Sequence, residues 1–167
     1  MINAKLNGGS NTLEDKLKQE DDMKTSRLRQ FSMNAKNNLR LSDIKNSDNA
    51  HTITYDDGTV YTGELKDNKK HGNGHLIDQK GNKYIGEFFE DQISGLGQFD
   101  GEDGTRYKGE WKDGQQHGIG KESWPDGSFY EGEYRNGLKH GKGLYRWADA
   151  STFEGDWVEG NIQGFVR

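Results

Sequence analysis

From position 51 onward, apolar and polar residues alternate in short runs, and the runs recur. "YTGEL" at Tyr61, "YIGEF" at Tyr84, "YKGEW" at Tyr107, "YEGEY" at Tyr130 and "FEGDW" at Phe153 follow one another every 23 residues. In each, the leading aromatic, a glycine and a second apolar residue stand two apart. In an extended chain Tyr107, Gly109 and Trp111 therefore share one face, while Lys108 and Glu110 take the other. This period of two predicts a strand. The following "KDGQQHG" predicts a turn-rich connector, "IGKESW" a second, shorter strand, and "PDG" a closing turn. Each unit is thus a predicted β-hairpin. The stretch 51–60, "HTITYDDGTV", has Gly58 in the place of Gly81, Gly104 and Gly127, so the array is expected to begin with a half unit and to end with another at "GFVR".

Hairpins of this kind must stack to be stable. Only 29% of the chain is hydrophobic and 31% is charged, which leaves too few aliphatics for a two-layer sandwich, and a lone hairpin is marginal in water. Rings of one unit can lie against rings of the next, with the intervening glycine clearing space for them, and each edge-on or offset pair adds about 0.5–1.5 kcal/mol beyond area burial. The predicted fold is an all-β repeat: an elongated, twisted antiparallel meander of stacked hairpins over 51–167, with units starting at 61, 84, 107 and 130 and a partial unit from 153. About ten strands would span roughly 50 Å.

Charge and composition divide the chain at the same place. Residues 1–50 carry nine Lys or Arg against seven Asp or Glu, a net of +2, and the remaining 14 and 21 give 51–167 a net of −7. Of the aromatic residues only Phe31 precedes position 51. The first part is expected to be a polar arm, disordered in isolation except for a helix over about 12–31. Asn11 or Thr12 can cap that helix, Glu14 and Asp15 suit its positive end, and a sparse apolar stripe would need the protein's own array or another chain to pack on. "RLRQFS" sets Arg27 and Arg29 before Ser32 in the manner of a basophilic kinase site, with a solvated linker as the alternative.

The composite pattern "YxGEWxxGxxHGxGxxxxxDG" resembles the membrane occupation and recognition nexus (MORN) repeat, over 51–167. The resemblance implies a β-meander with an aromatic-lined groove. Departures fall at Asp91, Ser94 and Ala150, where the pattern has glycine, histidine and glycine, and local distortion is expected at each. Small stand-alone members include cytoskeletal and ciliary proteins such as radial spoke head components, so the resemblance implies a cytoplasmic scaffold in an axonemal or other cytoskeletal assembly, a subunit of a larger complex.

Candidate chemistry is sparse beside this. With no cysteine there is no disulfide, thiolate metal site or thiol nucleophile. His71, His117 and His140 fill one slot of the first, third and fourth units, and since each hairpin advances the array by roughly 10 Å they are too far apart to share a metal and suggest a turn-stabilising role. Glu64, Glu87, Glu110, Glu133 and Asp156 likewise form a column, and a catalytic pair has no reason to be copied five times. "HGNG", "HGIG" and "HGKG" are placed between strands rather than at the start of a helix, so they are no phosphate loop, and no hydrolase or kinase motif is present. The chain is expected to be soluble and non-enzymatic, without cofactor or metal, and its acidic repeats disfavour nucleic acid. No signal peptide or membrane span is predicted. The expected site is a protein-binding groove of Tyr61, Leu65, Tyr84, Phe88, Tyr107, Trp111, Tyr130, Tyr134, Phe153 and Trp157, holding a partner helix or extended segment, although any one ring can be consumed by stacking instead. The alternative is a peripheral membrane adaptor, with phosphoinositides bound along an edge formed by Lys69, Lys70, Lys112, Arg135, Lys139 and Lys142.

Overall fold

A computed structural model describes residues 39–163 together with Thr12, Leu13 and Lys18. Leu13 and Lys18 are helical. The rest of the predicted 12–31 helix, Ser32 and the closing half unit at 164–167 lie outside the described residues.

Among the described residues the chain forms a single open antiparallel sheet of eleven strands in sequence order. The strands are β1 (His51–Thr54), β2 (Val60–Lys66), β3 (Lys69–Ile77), β4 (Lys83–Phe89), β5 (Gln92–Asp100), β6 (Arg106–Lys112), β7 (Gln115–Ser123), β8 (Phe129–Arg135), β9 (Leu138–Arg146), β10 (Thr152–Val158) and β11 (Asn161–Gln163). A one-turn helix, α1 (Leu41–Lys45), precedes them; it buries Ile44 and packs against β2 and β3. Arg40 N–H donates to Asp43 Oδ2 at 3.0 Å to close its first turn. With two apolar residues in five, α1 is too short for periodicity to reveal in the arm.

Two kinds of turn alternate. Within a unit the connection has only two residues: Asp67-Asn68, Glu90-Asp91, Asp113-Gly114, Asn136-Gly137 or Glu159-Gly160. Both residues of each pair have positive φ, the mirror-image turn whose twist suits a hairpin. Between units an aspartate folds back on the chain, as where Asp103 Oδ1 accepts Thr105 N–H at 2.9 Å, and a left-handed residue completes the loop.

These tight turns correct three expectations. The connector is two residues rather than seven, so "HGNG", "HGIG" and "HGKG" lie inside β3, β7 and β9. His71, His117 and His140 are therefore strand residues and not turn residues. Nor are the departures distorted: Asp91 and Ala150 adopt φ of 72° and 70°, the backbone their glycine counterparts take, and the unit with Ser94 keeps the register of the others.

Each of the four complete units also contains a shift that a simple hairpin lacks. Gly109 faces Gly120 but Glu110 faces His117, so Gly118 and Ile119 are extra on β7. The same shift follows Gly63, Gly86 and Gly132. Two inserted residues preserve the alternation of faces, so the rings stay on one side.

Those rings are the core. Phe88 lies edge-on between Tyr61 and Tyr84, both with centroids 5.2 Å away, and Tyr134 stands in the same way between Tyr107 and Tyr130. Trp111 bridges Tyr84 to Tyr107, and Trp157 bridges Tyr130 to Phe153. The result is one edge-to-face ladder running across the strands from Tyr61 to Trp157, in which each unit is held by its neighbours.

Candidate functional site

The carboxylate column is part of the scaffold. Glu64, Glu87, Glu110 and Glu133 each bend over the inserted pair of residues and accept a backbone N–H there, from Asn73, Leu96, Ile119 and Lys142 at 3.0–3.2 Å. The positive-φ glycine just before each donor is required by this contact: a Cβ on Gly118 would lie 2.6 Å from Glu110 Oε2. The fifth member, Asp156, pairs with Lys142 Nζ at 3.1 Å. The histidines occupy the same irregularity. The Tyr61 and Tyr130 O–H groups reach the His71 and His140 carbonyls at 3.5 Å, and the His71 ring packs on Phe89. No group of three or more acidic or histidine side chains suited to a metal occurs among the described residues.

The ring column is equally structural. Tyr61, Tyr84, Tyr107 and Tyr130 are at most 2% exposed, and each donates its O–H to the carbonyl of the glutamate three residues on, at 2.7–3.1 Å. Cross-strand glycine pairs such as Gly109 and Gly120 make the slot for each phenol. Burial raises all four phenol pKa values, that of Tyr61 to about 12. Of the ten residues in the predicted groove, Phe88, Tyr134 and Trp157 are also buried, whereas Leu65, Trp111 and Phe153 stay half-buried.

What that face presents outward comes chiefly from the second strand of each unit. Register places Leu76 beside Tyr61 and Tyr84, Phe99 beside Tyr84 and Tyr107, Glu122 beside Tyr107 and Tyr130, and Tyr145 beside Tyr130 and Phe153. These four form a half-buried row across the sheet, and Trp124 and Trp147 flank its far end. Tyr145 packs on both, with centroids 5.8 and 4.9 Å away. Sequence reading centred on the repeated pentapeptide missed this row, because its positions vary in type from unit to unit. The available signal was distance from the closing turn, since Tyr145 and Trp147 occupy the positions of Glu122 and Trp124.

One polar group interrupts the row. Glu122 Oε2 accepts the Tyr134 O–H at 3.0 Å and lies 3.6 Å from Lys139 Nζ, which also sits 4.9 Å from the Trp124 ring centroid and 5.4 Å from that of Tyr130. Burial first, and the Glu122 charge next, hold the Tyr134 phenol far above its ordinary pKa, so it remains a donor. Three units earlier Lys70 fills the equivalent place, over Tyr55 and Tyr61 and 3.3 Å from Asp91. The proposed basic edge is therefore largely paired within the protein: Lys69 with Glu90, Lys70 with Asp91, Lys139 with Glu122 and Lys142 with Asp156. Lys112 and Arg135 lie exposed beside the two-residue turns.

Comparison with known proteins agrees with the repeat. The family model described as the MORN repeat matches residues 61–83, 84–106, 107–129, 130–152 and 153–165. No curated protein matches the chain. Among solved structures, the selenomethionine-substituted virginiamycin B lyase from Staphylococcus aureus aligns with 70% of this chain and 45% of its own, at 12% identity and a TM-score of 0.21, a likeness too slight to bear on fold or activity.

Proposed function

The chain belongs to the MORN repeat family, whose members are interaction modules for proteins and membranes, and on that footing we propose that it is a non-enzymatic adaptor that docks a protein partner, a helix or extended segment, along the ring-bearing face. The half-buried row of Leu76, Phe99 and Tyr145, with Trp124 and Trp147 beside it, supports this reading. The rings beneath are spent on the ladder, and the outer row, packed on them from one side, keeps its other side open to a partner. Catalysis finds no support: the repeated glutamates and tyrosines are bound to backbone within their own units. We place the adaptor in a cytoskeletal or ciliary assembly, such as the radial spoke, on family resemblance.

Affinity purification from the native cell tests this with the wild-type chain and a Trp124→Ala/Tyr145→Ala variant. The wild type should recover a cytoskeletal protein that the variant loses, while circular dichroism shows the variant still folded. Flotation of both chains with phosphoinositide vesicles at low salt is the opposing arm. Flotation that disappears when Lys112 and Arg135 are replaced, with no protein recovered, would replace the protein adaptor by a membrane adaptor.

A further inference from the structure

We infer that the ring-bearing face takes a polyproline-II segment of its partner, with a basic side chain seated over Glu122 and apolar residues one turn to either side. This rests on the docking role proposed for that face and specifies what docks there.

The spacing of the row selects the conformation. Leu76, Phe99, Glu122 and Tyr145 lie on alternate strands in one register line, so neighbours are about 9.6 Å apart, twice the strand spacing. A polyproline-II helix repeats every three residues at about 3.1 Å each, a pitch of roughly 9.3 Å, and therefore presents an equivalent residue to every unit. An α-helix makes its equivalent contact every seventh residue, at about 10.5 Å, and drifts by about 1 Å per unit. A strand repeats its facing side chains at about 6.7 or 13 Å and matches neither.

The donors on this face point the same way. A polyproline-II segment has no internal hydrogen bonds, so its carbonyls seek donors from the surface that receives it. The indole N–H groups of Trp111 and Trp157 are already used, donating to the Gly97 and Gly143 carbonyls at 3.2 and 3.3 Å. Those of Trp124 and Trp147, half-buried beside the row, donate to no acceptor among the described residues. Two unspent indole donors one unit apart suit carbonyls that recur at the same pitch.

Glu122 supplies the charge preference. Its contacts with Tyr134 and Lys139 both fall on Oε2, and no hydrogen bond reaches Oε1 among the described residues. A partner arginine can approach Oε1 while its planar guanidinium lies on Trp124 or Tyr145. Lys139 competes for the same carboxylate and rings, so it sets the affinity from within.

The full chain, followed by tryptophan fluorescence, is titrated with three synthetic peptides: a proline-rich peptide with a central arginine and a leucine one helical turn to either side, the same peptide with glutamate for arginine, and a helix-forming peptide with heptad-spaced leucines. The arginine peptide should bind at least ~10-fold more tightly than the glutamate peptide. Glu122→Gln should erase that difference, and Lys139→Met should tighten the arginine peptide, a gain that mere damage to the fold would not produce. Binding of the helical peptide alone would overturn the inference and leave the docking face standing. Equal binding of the arginine and glutamate peptides would overturn the role of Glu122, and binding of none of the three would overturn both the inference and the docking face.

Discussion

Glu110 Oε1 accepts the backbone N–H of Ile119 at 3.1 Å, from nine positions earlier in the chain and across the inserted pair of residues on β7. That contact holds the irregularity in register and explains the glutamate in the middle of the first strand of the units that begin at 61, 84, 107 and 130. Hydrogen bonds to charged acceptors contribute about 1.5–3 kcal/mol, so Glu110→Ala should lower stability by about 2 kcal/mol in urea denaturation. Glu154→Ala, at an exposed position outside this contact, should stay within about 0.5 kcal/mol of wild type. Equal effects of the two substitutions would refute the bracing role.

Glycines of the array divide into those that make room and those that only turn. A side chain at Gly120 would collide with the Tyr107 phenol, whereas nothing lies within 4 Å of one at Gly114. Gly120→Ala should cost about 3 kcal/mol or more through overpacking. Gly114→Ala should cost only the left-handed backbone penalty of about 1–2 kcal/mol, its φ being 76°. Parallel melts of the two variants give the order directly.

Ala150 presents the reverse case. It holds φ of 70° where the equivalent loops have glycine, and Ala150→Gly should raise stability by about 0.5–1 kcal/mol, the relief of strain less the added freedom of the unfolded chain. Asp91 has nearly the same backbone but also accepts the Lys70 N–H at 2.8 Å. Asp91→Gly should therefore gain nothing.

Alkali should unfold the array cooperatively. Burial raises the pKa of Tyr61 to about 12 and raises those of Tyr84, Tyr107, Tyr130 and Tyr134 as well. For an acid whose folded value is raised, the unfolded state loses its proton first. The stabilisation is therefore fully present below about 10, the ordinary phenol value, and falls as pH rises above it. In a Tyr55→Phe/Tyr145→Phe variant, which keeps only these five of the seven tyrosines, tyrosinate absorbance should appear together with loss of the sheet signal. Tyrosinate forming well before the sheet melts would contradict the burial.

Trp111 joins the two halves of the ladder, edge-on to Tyr84 and Tyr107. Trp111→Ala should cost about 3 kcal/mol, and because stability in such arrays is nearly a nearest-neighbour sum, hydrogen exchange should lose protection first around β5 and β6. A uniform loss along the whole sheet would argue against unit-by-unit coupling.

The sequence by itself determined the period, the hairpin as the repeated unit, the strand of each pentapeptide and the face its rings share. All of these follow from local spacing: a period of two makes a strand, and five copies at 23 residues make a stack. It also showed that the glutamates and histidines belong to the repeat. What each residue does was decided across strands. The two-residue insertion appears only once β6 is set against β7, because one strand alone cannot show which residue lacks a partner. Of the rings named for a groove, Tyr61, Tyr84, Tyr107 and Tyr130 are core because glycines on the neighbouring strand open slots beneath them, whereas Trp111 and Phe153 stay half-buried. The outward row of Leu76, Phe99, Glu122 and Tyr145 exists only through register, which brings together residues 23 apart whose chemistry has no common pattern along the chain.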